Sequence, residues 1–193
     1  MTKYKAKEFG LALVFIAIFC GLLATEFLCV TSDHSLQEII EFPSLFLHGL
    51  FLFGLITFCE RRAWLRVDDN LFAFKNFSLI VISLLALFVI DKIGLWWISV
   101  LDTETTVVEG VLTSSIENMI FQGFMFNSFF QKHRYLGVFV SALLFALVHG
   151  AISLPSLFMC MGSSFVLSIL YIETDYLILP MVVFMINNMV NLF

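Results

Sequence analysis

The sequence predicts an all-α protein, a polytopic transmembrane helix bundle of about seven spans. Three observations carry that reading. The chain of 193 residues is 61% hydrophobic and only 13% charged, with a mean hydropathy of +1.01 and 24 Phe, far beyond the apolar share of a soluble domain. Its apolar residues fall in runs of roughly 17 to 25, the length that crosses a bilayer. Its charges collect in the breaks between the runs, with Lys and Arg at 3–7, 61–75 and 132–134 and a single Lys92 elsewhere. No basic stripe suited to nucleic acid exists, so the surroundings to reason about are the lipid bilayer. The net charge of -5 says little about partners when position decides what a charge does.

The first run, 9–30, follows Lys3, Lys5 and Lys7. It is too long for a signal peptide and no small-x-small cleavage site follows, so we read it as a retained helix. Asp33, Glu38 and Glu41 then form an acidic loop, and 43–59 is the second span. A basic segment with an interfacial Trp64 leads to a third span, 71–101, with a break expected near Asp91 and Lys92. Asp102, Glu104 and Glu109 make the next acidic loop. The fourth span covers 111–130, the fifth 135–150, the sixth 156–172 behind Pro155, and the seventh 176–193; Glu173, Thr174 and Asp175 separate the last two. No repeat or low-complexity linker divides the chain, and we take 1–193 as a single integral membrane domain. Cys20, Cys29, Cys59 and Cys160 lie in or beside apolar runs without CxxC spacing. They read as small embedded hydrophobes, neither a disulfide framework nor a zinc site.

Counting Lys and Arg orients the bundle with a cytoplasmic N-terminus, the three basic clusters inside and the acidic loops outside. Glu117 then lies about two turns below the outer end of its helix. His149 falls near the outer end of the next helix, and Asn187 and Asn188 in the outer part of the last. Polar groups from three separate spans reach a similar depth. At about 100° per residue, Glu117, Ser128, Ser114, Asn118 and Gln122 occupy one arc of roughly 140°, and the opposite arc is free to face lipid. Asn187, Asn188 and Asn191 share an arc of about 100° that includes Phe184. Ionisable and polar residues at membrane depth face a bundle interior or a watery cavity and are candidates for function.

These residues carry a resemblance. Glu117-Asn118-Met119-Ile120-Phe121-Gln122-Gly123 resembles the EExxFRG motif of the CPBP family, membrane proteases that include CAAX prenyl endoproteases and bacteriocin-processing or immunity (Abi) proteins. Ser-Ala-Leu-Leu-Phe-Ala-Leu-Val-His-Gly at 141–150 resembles the FxxxH motif. The stretch from Leu170 through Pro180 to Asn188 is similar to the family's final helix. The likeness covers 111–193, the C-terminal four helices, and the earlier spans are generic. It implies an intramembrane endopeptidase that activates water without a nucleophilic serine or cysteine and needs no cofactor. Glu117 would be the general base, His149 would hold or protonate the reacting group, and Asn188 would help stabilise the oxyanion. Its substrate would be a peptide or membrane protein, in bacteriocin processing or self-immunity, and its location a bacterial plasma membrane.

The departures are specific. Asn118 stands where the family has a second Glu, Gln122 where it has Arg, and Phe184 where the final helix has His; Glu117, Phe145, His149 and Asn188 are retained. Asn118 and Gln122 are four apart on a helix, so a neutral hydrogen bond between them can replace an ion pair. Nothing about a phenyl ring replaces an imidazole donor. A second function class therefore stands beside the first: a pseudo-protease that keeps the bundle as a binding or regulatory module for a peptide or membrane-protein partner. Residue by residue, Glu117 and His149 also suit interhelical hydrogen bonding, and Asn187, Asn188 and Asn191 suit helix packing. No metal is expected, because Glu117 and His149 lack a third ligand, there is no HExxH, and His48 is the one spare imidazole at membrane depth. A transporter would need matched repeats with broken helices, which the chain lacks.

Overall fold

The computed structural model describes residues 10–11, 14–15, 17–22, 24, 34–97, 107–151 and 153–191, and among them every regular element is a helix. The ends of the expected first span and the acidic residues at 102–106 lie outside the described residues. Helix α1, His34–Arg61, starts earlier than expected and carries Pro43 inside it, so Glu38 and Glu41 are helical rather than in a loop. A proline removes one backbone hydrogen bond without ending a helix that packing supports, and Glu is a good helix former. At its C-terminus Ala63 turns left-handed (φ 54°), with Trp64 N donating to Cys59 O at 2.9 Å and Ala63 N to Glu60 O at 2.9 Å. This paired closure satisfies the last carbonyls, and Trp64 packs back on Phe58 with ring centroids 5.4 Å apart.

Asp68 caps a short 3-10 turn, Asp69–Phe72, by accepting from Asn70 N at 3.0 Å. Helix α2, Phe74–Trp97, then runs through Asp91 and Lys92 without the break expected there. Both charges are accommodated: Asp91 Oδ2 accepts from Asn187 Nδ2 at 2.8 Å, and the Lys92 ammonium sits 5.2 Å from the centre of the Phe88 ring. With its charges partnered, the backbone ladder has no reason to open.

Helix α3, Val107–Asn118, passes into a π-helical segment, Met119–Phe124, and returns to α geometry over Met125–Ser128. Every residue over 114–126 is buried. The arc opposite Glu117 therefore does not face lipid as the sequence suggested. This helix is the centre of the bundle, packed by α1, by α4 (Arg134–Val148), by α5 (Leu154–Thr174) and by α6 (Ile178–Asn191). A helix that is apolar all round, apart from one polar strip, is the one a bundle can enclose. Phe19 and Phe15 of the N-terminal segment close over it, against Phe121 and Phe124.

Ser153 caps α5 by accepting from Ser156 N at 3.2 Å, with Pro155 in the first turn. At its other end Glu173 and Thr174 are still helical and Asp175 turns left-handed (φ 57°), so the separator read from the sequence shrinks to a tight corner. Among the described residues three stretches are long and apolar enough to cross a membrane: Pro43–Arg61, Phe74–Ile93 and Leu154–Thr174. Arg134–Val148 and Ile178–Val190 are shorter apolar helices. With helices of this kind the chain is an integral membrane protein.

One end of the bundle is tied by charge. Arg134 Nη2 meets Asp175 Oδ1 at 2.5 Å, Lys75 Nζ lies 3.9 Å from Glu173 Oε2, and the Tyr176 hydroxyl donates to Asp68 Oδ1. The ends of α2, α4, α5 and α6 thus share one face, and the C-terminus of α4 lies at the opposite face.

Candidate active site

His149 occupies the C-cap of α4, where geometry fixes it closely. Gly150 follows in the left-handed region (φ 64°), Gly150 N donates to Leu147 O and Ala151 N to Ala146 O, both at 3.1 Å. Only glycine enters that conformation without penalty, so the Val-His-Gly sequence ends the helix at Val148 with His149 as its cap. The ring then turns back along the helix. Its Nδ1 lies 2.8 Å from Phe145 O, and the Phe145 ring stacks on it with centroids 4.1 Å apart and planes at 29°.

Its other nitrogen faces α3. His149 Nε2 lies 3.0 Å from Glu117 Oε1, the Glu117 side chain 4% exposed and that of His149 27%. The carboxyl is enclosed while the imidazole opens toward the helix end, so the pair connects the core to the surface. Both ring nitrogens face oxygen acceptors. One proton on Nδ1 satisfies the Phe145 carbonyl, and a second must lie between Nε2 and Oε1.

Asn188 reaches the same face of α3 one turn higher, its Nδ2 donating to Ser114 Oγ at 2.7 Å. Beside it, Asn187 is bound to Asp91, so α6 presents two carboxamides held from two different helices. Phe184, one turn below Asn188, meets Phe145 edge to face at 6.2 Å, and Phe121 meets Phe145 at 5.4 Å. An aromatic wall thus backs the imidazole.

Asn118 and Gln122 do not bond to each other as their spacing suggested. Asn118 Nδ2 donates to Ser114 O at 2.8 Å, and Gln122 Nε2 to Ser168 Oγ on α5 at 3.4 Å. The cause is the π-segment that begins at Met119. Its wider turn changes the angle between positions four apart, so an i,i+4 rule for α-helices no longer applies. The segment is held from outside: Ser141 Oγ donates to Phe121 O at 2.8 Å, and Asn127 Nδ2 to Gly123 O at 2.7 Å. Gly123 sits at a close approach, since a Cβ there would lie 2.7 Å from Leu177 Cδ2 and that side chain would have to shift.

Ser114, Asp91 and Ser168 were not singled out as site residues. Ser114 carried a signal, being three residues from Glu117 on the same helical face. Asp91 carried another, as a carboxylate in an apolar run. Ser168 carried none. Among the described residues no three His, Cys, Asp or Glu side chains gather in a way that could hold a metal ion.

Residues 104–190 match the family model of the type II CAAX prenyl endopeptidase Rce1-like proteins. This Rce1-like segment is just under half of the chain and falls on the motifs that resemble the CPBP family, which that match bears out. No curated protein and no solved structure matches the chain. The Rce1-like segment runs from the start of α3 almost to the end of α6 and contains Glu117, His149 and Asn188. Asp91, on α2, reaches it from outside the matched stretch.

Proposed function

We propose that this protein is an intramembrane endopeptidase of the CAAX-protease-like kind, in which Glu117 and His149 activate water. The observation that carries the reading is the 3.0 Å contact between His149 Nε2 and Glu117 Oε1, with Nδ1 anchored on Phe145 O. A base must sit within hydrogen-bond reach of the proton it takes, and a pair that already shares one proton is suited to pass it on. Water enters from the open side of His149. As its oxygen attacks the scissile carbonyl, Glu117 takes its proton. The proton then leaves through the Glu117–His149 pair to the departing amine as the C–N bond breaks. The Asn188 amide has a second N–H beyond the one on Ser114, and it donates to the developing oxyanion. The substrate is a peptide or membrane protein that reaches the site at membrane depth. Bacteriocin maturation or self-immunity is the setting suggested by the motifs. Charge counting supports a cytoplasmic basic face and a site nearer the outer face.

The test is cleavage of a peptide library by the purified chain in detergent, read by mass spectrometry. Wild type cleaves, and Glu117→Gln lowers the rate by about two orders of magnitude or more. Equal cleavage by the two proteins overturns the reading.

One observation favours a second reading. Phe184 fills the position of the family's final-helix His and packs on Phe145, which suits a non-catalytic module that binds a peptide or membrane-protein partner. On that reading partner binding survives both Glu117→Gln and His149→Ala, and wild type cleaves nothing.

A further inference from the structure

Ser78, Ser115 and Ser163 each donate to the carbonyl four residues earlier on their own helix, Phe74 O, Val111 O and Met159 O, at 2.9, 2.8 and 3.0 Å. That back-bond is the ordinary habit of a serine inside a helix. Ser141, fully buried on α4, does otherwise: its hydroxyl donates to Phe121 O on α3 at 2.8 Å. A hydroxyl has one hydrogen to give, and the geometry of α3 explains where this one goes. In an α-helix Phe121 O would accept from Met125 N, four residues on. Here Met125 N donates instead to Ile120 O, five residues back, as a π-turn requires. Phe121 O is thereby passed over by its α-helical donor, and Ser141 supplies a hydrogen in its place.

The bond joins the two helices that carry Glu117 and His149. Glu117 stands just before the π-segment begins at Met119, and Ser141 stands about two turns before His149 on α4. A line of contacts runs from the Ser141 bond to the imidazole. The Phe121 ring meets the Phe145 ring edge to face at 5.4 Å, the Phe145 ring stacks on His149 at 4.1 Å, and His149 Nδ1 lies 2.8 Å from Phe145 O. We propose that Ser141 is a positioning residue: its hydroxyl pins the π-segment of α3 to α4 and so keeps Glu117 Oε1 within hydrogen-bond reach of His149 Nε2. Its part in catalysis rests on the reading of Glu117 and His149 as the groups that activate water; its hold on their contact does not. Without the hydroxyl, Phe121 O is a buried carbonyl short of a donor, which is costly. The segment then relaxes toward α geometry, in which Met125 N returns to Phe121 O. That return rewinds the turn directly after Glu117 and swings the carboxyl relative to α4.

The experiment uses the full chain in detergent micelles, isotopically labelled at the histidine ring nitrogens and read by nuclear magnetic resonance. His149→Ala assigns the His149 signals, and Glu117→Ala marks where Nε2 resonates once the contact is broken. Ser141→Ala is expected to move the Nε2 signal most of the way to that broken-contact position. Ser163→Ala, which loses a back-bond of the ordinary kind, leaves the signal where wild type has it, and Ser141→Thr, which keeps a hydroxyl, does the same. A wild-type signal in Ser141→Ala, or an equal displacement in Ser163→Ala, overturns the proposal, and neither result needs the chain to cleave peptides. On a peptide that wild type cleaves, Ser141→Ala is expected to lower kcat by roughly ten- to a hundredfold at unchanged KM. A displaced signal with full kcat overturns the positioning role. Absence of cleavage by wild type overturns the catalytic reading of the pair, and the signal then still decides whether Ser141 holds the pair together.

Discussion

The Phe145 ring lies almost flat on the His149 imidazole, at 4.1 Å, and Phe184 closes on the far edge of Phe145. The phenyl group at 184 therefore acts on the site through Phe145 and offers it no hydrogen. Phe184→His places a donor beside Asn188 on the same face of α6. We expect cleavage to rise by up to about a hundredfold, the value of one oxyanion donor. An unchanged rate in the peptide assay shows that position 184 does not face the reacting carbonyl.

Asp91 accepts a hydrogen bond from Asn187 in the Rce1-like segment. Asp91→Ala removes the acceptor and leaves a buried carboxamide without it, at a cost of about 1 to 3 kcal/mol. Asp91→Asn keeps an oxygen in place and costs less. Thermal unfolding in micelles separates the two. Equal effects of Ala and Asn would mean that charge, not hydrogen bonding, is what position 91 supplies.

Gly150 has open space around it, so a methyl group there meets no clash and the whole penalty is conformational. Gly150→Ala is expected to lose about 1 kcal/mol of stability, because φ 64° disfavours any residue with a Cβ. The same change loosens the turn that holds His149, so cleavage falls more than unfolding alone accounts for.

At the basic end, Tyr176 and Asp68 set a pH window. The Tyr176 hydrogen bond holds the Asp68 carboxyl below its ordinary value of 3.8, and the Asp68 carboxylate holds the Tyr176 phenol above its ordinary value of 10.0. A lowered acid contributes stability above its unfolded value and loses it as pH falls through the folded one. A raised phenol contributes below its unfolded value and loses it as pH rises through the folded one. The stability difference between wild type and Tyr176→Phe should therefore be level from about pH 5 to 9 and shrink at both extremes. A difference that persists unchanged at pH 2 rules the carboxylate out as the partner.

Helical class, the order of the apolar runs and the three motif stretches could all be read from residues alone, because hydropathy and charge placement are local properties. That Glu117, His149 and Asn188 belong to three separate helices was legible too, from the order of the apolar runs. The partners of Asn118 and Gln122 were not, because a π-segment changed the angle between them and nothing in Met119 to Phe124 announces it. The continuity of α2 through Asp91 was hidden for a similar reason: the group that neutralises its cost, Asn187, lies on the last helix.

What the sequence by itself determined is a membrane-embedded helical chain with an acid, an imidazole and a carboxamide on three helices. Only the tertiary structure decided that residues 114–126 are enclosed on every side, that Glu117 meets His149 directly, and that Asn188 bonds to Ser114, three residues before Glu117 on the same helix. The physical reason is that an apolar surface reads the same whether lipid or protein will cover it. Hydrogen-bond partners, in turn, are chosen by distances between helices, which no single stretch of the chain encodes.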